Sequence, residues 1–341
     1  MQSEEFLHNP NLKFKQIITK NNNNSGFNNI FEVYKPLKNN EIYLASPHKT
    51  EYNLDIIIIK NCKLLISLKG HNNLINIVKY YINTKNKDEY LISIDKGNST
   101  IIGGINTNYS KIYIINGEKS IGLISDFLFC FININNTPDN YIIFANKYKE
   151  YTSIYSLDDK KIKVIESSNK YNTYYLIFWI NKKDNNNYII ELSEGSIYIN
   201  NINNDMLYDN FNLSPFDYYQ NNCGFIYTKY NQDYLIVCNS KGDINIWDLE
   251  NKYLALNICL NNNKNKNSLL YILEWSNKYI IIADYYNRLF NIMDINTSKI
   301  LTKIKGKHFG GIIYAKKFIH PIYGESLLTS GQDNNIILWS I

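Results

Sequence analysis

Three residues near the C-terminus have side chains that could form a nucleophilic catalytic group, namely His308, Thr329 and Asp333. A histidine oriented by a carboxylate can take the proton of a hydroxyl, as it does in hydrolases. The same residue types also suit a structural role, because a buried His, Thr and Asp can hydrogen-bond one another between strands. Loss of one partner would then leave polar groups unsatisfied, at about 1–3 kcal/mol each. We favour the structural interpretation and predict no catalytic residue.

Other motifs for catalysis or metal binding are weak. The chain has five His and five Cys, without a C-x-x-C pair or two His within a few residues, so it offers no zinc motif. The pairs Gly103-Gly104 and Gly310-Gly311 lack the spacing of a phosphate-binding loop, and we interpret them as turns. We therefore expect no cofactor and no metal.

Composition and charge indicate an ordinary globular protein. The 341 residues are 45% hydrophobic and 20% charged, and the net charge is +5 without a block of basic residues. This charge allows nucleic-acid binding but does not indicate it, since phosphate binding needs basic residues on one face. The N-terminus lacks a secretory signal, and no apolar run is long enough to span a membrane. We expect a cytoplasmic protein, with a nuclear location as the alternative.

Short alternating runs of apolar and polar residues predict β-strands along most of the chain. A hairpin pattern recurs, and the positions equivalent to Trp247 near the end of its second strand are about 58, 102, 155, 200, 247, 293 and 339. The last five positions are about 46 residues apart, which is the period of a propeller blade. Each hairpin has one more strand on either side, for example 224–229 and 253–258 around Trp247. Four short antiparallel strands per unit predict a β-propeller.

Signature residues mark several of these units. Trp247-Asp248 and Met293-Asp294 end the third strand of their units, and Gly70-His71 opens another. A full set of four occurs in the last unit: His308, Thr329, Asp333 and Trp339. On these residues the chain resembles the WD-repeat (WD40) family, most closely in its last three units. The resemblance implies a buried hydrogen-bonded chain of these four side chains across the last blade.

The number of units predicts how the propeller closes. The last unit ends at the C-terminus without a fourth strand, and the segment at about 11–19 can supply it. Such a ring leaves no open edge between blades. We therefore predict an all-β fold, a single domain over residues 1–341 with seven four-stranded antiparallel blades. The blades are predicted to end near 69, 118, 166, 213, 260, 305 and 341.

The resemblance implies a non-catalytic scaffold or adaptor subunit that binds other proteins. We expect one monomeric propeller within a hetero-complex, and we expect no binding to a membrane. Loops at one face of the propeller are the expected binding surface, because function on such scaffolds resides in loops. By the strand alignment, this face carries Tyr148, Tyr174, Lys241, Tyr285, Tyr286 and Phe309.

Two alternatives remain open. An RNA-associated propeller would use exposed Tyr and Lys side chains to stack on bases and neutralise phosphates. A propeller enzyme would need several polar groups that converge on the central axis, and the sequence pattern places none there.

Overall fold

The computed structural model describes most of the chain. The described residues are 13–19, 31–48, 51–83, 86–97, 99–115, 124–134, 137–146, 151–156, 162–166, 173–193, 196–202, 206–212, 221–239, 242–260, 270–275, 278–285, 287–305, 308–333 and 335–340. For a few strands only the backbone path is described.

Within these residues the chain is all-β, with 28 strands in seven four-stranded antiparallel sheets and one short 3-10 helix at Ile105–Thr107. Strand β1 (Lys13–Thr19) comes first. Sheet 1 contains β2 (Glu32–Tyr34), β3 (Tyr43–Pro47), β4 (Leu54–Ile58) and β5 (Lys63–Leu68). Sheet 2 contains β6 (Ile75–Ile82), β7 (Glu89–Asp95), β8 (Thr100–Gly104) and β9 (Ser110–Ile115). Sheet 3 contains β10 (Ile124–Ile134), β11 (Thr137–Asn146), β12 (Tyr151–Ser156) and β13 (Ile162–Glu166).

The remaining sheets follow the same order. Sheet 4 contains β14 (Thr173–Ile180), β15 (Asn187–Ser193), β16 (Ser196–Asn201) and β17 (Met206–Asn212). Sheet 5 contains β18 (Asn221–Lys229), β19 (Gln232–Asn239), β20 (Asp243–Asp248) and β21 (Tyr253–Cys259). Sheet 6 contains β22 (Leu270–Glu274), β23 (Tyr279–Asp284), β24 (Leu289–Asp294) and β25 (Lys299–Lys305). Sheet 7 contains β26 (Ile312–His320), β27 (Gly324–Gly331), β28 (Asn335–Ser340) and β1, which pairs with β28.

Burial follows the position of a strand in its sheet. The middle strands β20 and β23 are buried at every residue, whereas the outer strand β25 alternates exposed and half-buried residues. A strand that is buried at every residue must be covered on both faces. Sheets 5 and 6 are therefore covered on both faces at these middle strands.

Apolar clusters join neighbouring sheets. Seven clusters of described residues each combine side chains from two sheets, and the burial of this apolar area is the main stabilising contribution. Representative pairs, in order from sheets 1 and 2 to sheets 7 and 1, are Ile56 with Leu91, Ile92 with Phe144, Ile143 with Ile189, Leu192 with Val237, Ile236 with Ile280, Phe290 with Trp339, and Leu328 with Leu44.

A β-bulge recurs in the third strand of several sheets and fixes which residues are equivalent. It lies between Ile246 and Trp247 in sheet 5, and the matching bulges in sheets 1 and 2 precede Ile57 and Gly103. The residues equivalent to Trp247 are therefore 57 and 103, each one residue from the expected positions of about 58 and 102. Continuous apolar runs such as 56–59 conceal the register, because a shift of one residue exchanges the two faces without a change in polarity.

Candidate functional site

The four signature residues of the last unit form one hydrogen-bonded chain in sheet 7. Trp339 Nε1 donates to Thr329 Oγ1 at 2.8 Å, and His308 Nε2 lies 2.9 Å from the same oxygen. His308 Nδ1 lies 3.0 Å from the Asp333 carboxylate. Because a carboxylate can only accept, His308 Nδ1 donates to Asp333. Thr329 is fully buried, so this chain connects strands and presents no nucleophile to a substrate.

Asp333 anchors the loop before β26. Its Oδ2 accepts the Phe309 N–H at 2.8 Å, and its Oδ1 accepts the Asn335 N–H at 3.1 Å. Burial alone would raise the pKa of the Asp333 carboxyl, but the hydrogen bonds from His308 and these backbone groups outweigh it and lower the pKa to about 2. The carboxylate therefore stays ionised at neutral pH.

His71 forms a similar chain in sheet 2. Its Nδ1 lies 3.0 Å from Asp95 Oδ2, and its Nε2 lies 2.7 Å from Ser93 Oγ. All three side chains are buried. Asp95 Oδ1 also accepts the Gly97 and Ser99 N–H groups and thereby holds the turn that follows β7. The sequence pattern indicated a full set of four only in the last unit and missed this second carboxylate.

The carboxylates of the two chains come from different backbone positions. Asp95 pairs with Ile75 at the start of β6, and the residue in that register in sheet 7 is Gly331, which pairs with Ile312. A Cβ at Gly331 would lie 2.4 Å from His308 Nδ1 and 2.8 Å from Asp333 Oδ1. Glycine therefore leaves room for a carboxylate that reaches back from the turn.

Sheet 4 uses a third arrangement at the same backbone positions. Glu191 takes the place of Thr329, and Asn200 takes the place of Trp339. Glu191 Oε1 accepts from Asn200 Nδ2 at 2.8 Å and from Thr152 Oγ1 of sheet 3 at 2.6 Å. Its Oε2 accepts from Thr173 Oγ1 at 3.1 Å. This buried carboxylate joins sheets 3 and 4.

The aspartates of the Trp-Asp and Met-Asp dipeptides cap turns. Asp248 Oδ1 accepts the N–H groups of Glu250 and Asn251, and Asp294 Oδ1 accepts those of Asn296 and Thr297. Both turns lead from the third strand to the outer strand. Trp247 is buried in the cluster between sheets 4 and 5. These signature residues therefore position strands and turns.

Charged residues on the first strands form ion pairs between a half-buried lysine and a buried carboxylate, which the sequence pattern did not place. Lys316 Nζ lies 2.8 Å from Glu32 Oε1, and Lys79 Nζ lies 2.6 Å from Asp126 Oδ1. Burial alone would lower the pKa of Lys316, but Glu32 raises it above its ordinary value. Each ammonium is neutralised by a carboxylate of a neighbouring sheet, so the pairs hold sheets 7 and 1, and sheets 2 and 3, together.

Half of the predicted binding face lies outside the described residues, namely Tyr148, Lys241 and Tyr286. The three described residues of this face differ in solvent exposure. Phe309 is 82% exposed, whereas Tyr174 and Tyr285 are half-buried. The Tyr285 ring lies so close to Gly311 that a Cβ there would be 2.4 Å from it. Phe309 and Tyr285 therefore come from adjacent sheets at the same end, with Tyr285 held in place by its neighbour.

The opposite end of the sheets also carries exposed large apolar residues among those described. We call it the hairpin end, because each first strand turns there into the second strand. Its exposed large apolar residues are Leu37, Ile180, Tyr230, Ile319 and Ile322. Tyr230 is 92% exposed at the tip of the β18–β19 hairpin. His320 is buried beneath the sheet 7 hairpin, and its Nδ1 accepts the Ile322 N–H at 3.1 Å. The hairpin end was not part of the predicted face.

In the described part of the chain, no group of three or more His, Cys, Asp or Glu side chains could hold a metal ion. No helix in that part has the length and apolar character needed to cross a membrane. A scan against protein-family models and a search of curated proteins found no match to this chain.

Proposed function

We propose that the seven sheets are the blades of one closed propeller of the WD-repeat type. The apolar clusters support it, because they join each sheet to the next and also sheet 7 to sheet 1. The pairing of β1 with β28 supports it as well, since it completes the last sheet with the first strand of the chain. The outer strands of sheets 1 to 6 end at residues 68, 115, 166, 212, 259 and 305, next to the predicted blade ends.

We propose that this propeller is a non-catalytic scaffold that binds other proteins. The observation that carries the proposal is the set of large apolar side chains exposed at the hairpin end. A closed ring would bring these hairpins together around one mouth of the central channel. Exposed apolar residues gathered on one face in this way would mark an interaction site. The side chains of the buried polar chains described above hydrogen-bond one another and stabilise the sheets.

The proposed partners are other proteins in a hetero-complex, in the cytoplasm or the nucleus. Exposed cysteines at positions 62 and 259 are in keeping with a reducing compartment.

The experiment that tests this function is purification of the tagged chain from its native cells at near-physiological salt, with and without nuclease. The decisive variant is Tyr230→Ser with Ile322→Ser at the hairpin end. Its matched controls are Phe309→Ser at the opposite end and Leu256→Ser on the outer strand β21, which are also exposed apolar residues.

The expected result is a protein partner in stoichiometric amount that survives nuclease, is lost with the hairpin-end variant and is retained by both controls. Loss of the partners after nuclease treatment would overturn the scaffold proposal in favour of the RNA-associated function. A monomer without companions would overturn the proposal.

A further inference from the structure

The tip of the sheet 5 hairpin combines two unfavourable features. Tyr230 and Asn231 connect the paired residues Lys229 and Gln232, with φ values of 50° and 62°. Two successive left-handed residues are the pattern of a type I′ turn, which favours Asn, Asp or Gly at the first position. A tyrosine there is strained because its Cβ crowds the backbone. It also exposes an aromatic ring that contributes nothing to the core.

In another tyrosine with a left-handed backbone, side-chain contacts compensate for the strain. Tyr109 has a φ of 60°, but its ring packs against the cluster between sheets 1 and 2, and its hydroxyl lies 2.7 Å from that of Tyr34. Tyr230 instead has the Lys229 ammonium 5.4 Å from its ring centroid and is otherwise surrounded by solvent. Strain that folding does not require is a reason to look for a binding role.

A shallow concavity of about 560 Å³ lies beside the tip. Its lining consists of Tyr227, Thr228, Lys229 and Tyr230 from the hairpin and Asn296 from the third-to-outer-strand turn of sheet 6. Lys229 Nζ donates to Asn296 Oδ1 and bridges the two sheets. A concavity of this size can admit side chains of a partner.

The charges around this concavity favour an acidic partner. Lys182 and Lys278 are exposed. Lys182 Nζ lies 3.9 Å from Asp233 Oδ1 and Lys278 Nζ lies 4.0 Å from Asp294 Oδ2, which are long distances for ion pairs. Both carboxylates are buried and already accept other hydrogen bonds, Asp233 from Trp179 Nε1 and Asp294 from turn N–H groups. Together with Lys229, these ammonium groups outnumber the exposed carboxylate of Glu274, which lies close to Tyr227.

We propose that Tyr230 and Lys229 anchor a docking site for an acidic polypeptide segment that carries an apolar side chain. The segment would place its apolar residue against the Tyr230 ring and its carboxylates near Lys229 and the neighbouring lysines. This inference rests on the proposed scaffold function and names the partner chemistry. A polypeptide is favoured over RNA because the neighbouring exposed residue of sheet 4, Ile180, is aliphatic and cannot stack on bases.

The test uses the full chain as bait for a displayed library of random 16-residue peptides. The decisive variant is Tyr230→Asn, because Asn relieves the left-handed strain and keeps the hairpin. Phe309→Ser serves as the control at the opposite end. A synthetic copy of the most enriched peptide is then measured by fluorescence anisotropy at low and moderate salt.

The expected peptides are rich in Asp and Glu with at least one apolar residue. Binding should weaken at least tenfold with Tyr230→Asn, although its melting temperature does not fall, and should weaken several-fold as salt rises. Peptides that are basic, or that bind Tyr230→Asn equally well, would overturn the inference. Loss of labelled oligouridine binding with Tyr230→Asn, without any enriched peptide, would also overturn it in favour of RNA.

The native-cell purification separates the two proposals. Partners that are lost with the variant combining Tyr230→Ser and Ile322→Ser but retained by Tyr230→Asn would overturn the Tyr230 anchor and leave the scaffold standing. A chain without any protein partner would overturn the scaffold itself.

Discussion

Replacement of Thr329 by valine should test the hydrogen-bonded chain of sheet 7 most directly. Valine keeps the shape of the side chain and removes the oxygen that serves both Trp339 Nε1 and His308 Nε2. Each buried polar group left without a partner costs about 1–3 kcal/mol. We therefore expect Thr329→Val to lower the free energy of unfolding by about 4 kcal/mol, measured by urea unfolding and far-UV circular dichroism.

A double-mutant cycle with Trp339→Phe separates the hydrogen bond from packing. The phenylalanine ring has no N–H group to strand, so the two substitutions together should cost at least about 1 kcal/mol less than the sum of the single costs. Thr302→Val on the outer strand β25 is the control and should change stability by less than about 0.5 kcal/mol. A cost of Thr329→Val equal to that of Thr302→Val, or an additive cycle, would refute the reasoning.

Three further predictions concern the same sheet. Gly331→Ala should destabilise by about 2 kcal/mol or more in the same urea assay, because its Cβ would lie 2.4 Å from His308 Nδ1, whereas Gly103→Ala has its nearest neighbour at 3.4 Å and should cost less. The pKa of Asp333 is lowered to about 2 in the folded chain, so its stabilising contribution is complete above the ordinary value of 3.8 and is lost as the pH falls towards 2. Urea unfolding at pH 6 and at pH 2.5 should therefore show a smaller acid loss for Asp333→Asn than for the native chain, and equal losses would contradict the assignment. Deletion of residues 1–19 should expose the β28 edge and cause association measurable by light scattering, and a stable monomeric product would contradict the role of β1.

The all-β class and the repeated antiparallel sheets were predictable and are confirmed. Successive side chains of a strand point to opposite faces, so alternating apolar and polar residues in the sequence indicate a strand directly. The register in sheets 1 and 2 was not predictable, because bulges before Ile57 and Gly103 shift it by one residue within apolar runs. Bulges depend on backbone pairing with the next strand, and nothing in the side chains of 56–59 reports that pairing.

The exposed surface was harder to predict than the core. The abundance of tyrosine, 30 residues in all, made an aromatic face easy to assign at one end of the strands. Exposure depends on what covers a side chain in three dimensions, and Tyr285 is covered by the neighbouring sheet while Tyr230 is not. One local signal was available, since Tyr230-Asn231 forms a two-residue connection between alternating strands, where Asn suits a left-handed turn and Tyr does not.

The buried polar chains show why the sequence pattern indicated a full set of four signature residues in only one sheet. The same second-strand position carries Thr329 in sheet 7, Ser93 in sheet 2 and Glu191 in sheet 4. Each side chain satisfies polar neighbours with hydrogen bonds, although the donors and acceptors differ. The physical requirement is that every buried polar group has a partner, and several residue combinations meet it. Equivalent positions in different sheets of this chain are therefore recognised by strand register. Residue identity alone reveals them only in sheet 7, where histidine, threonine, aspartate and tryptophan meet the requirement together.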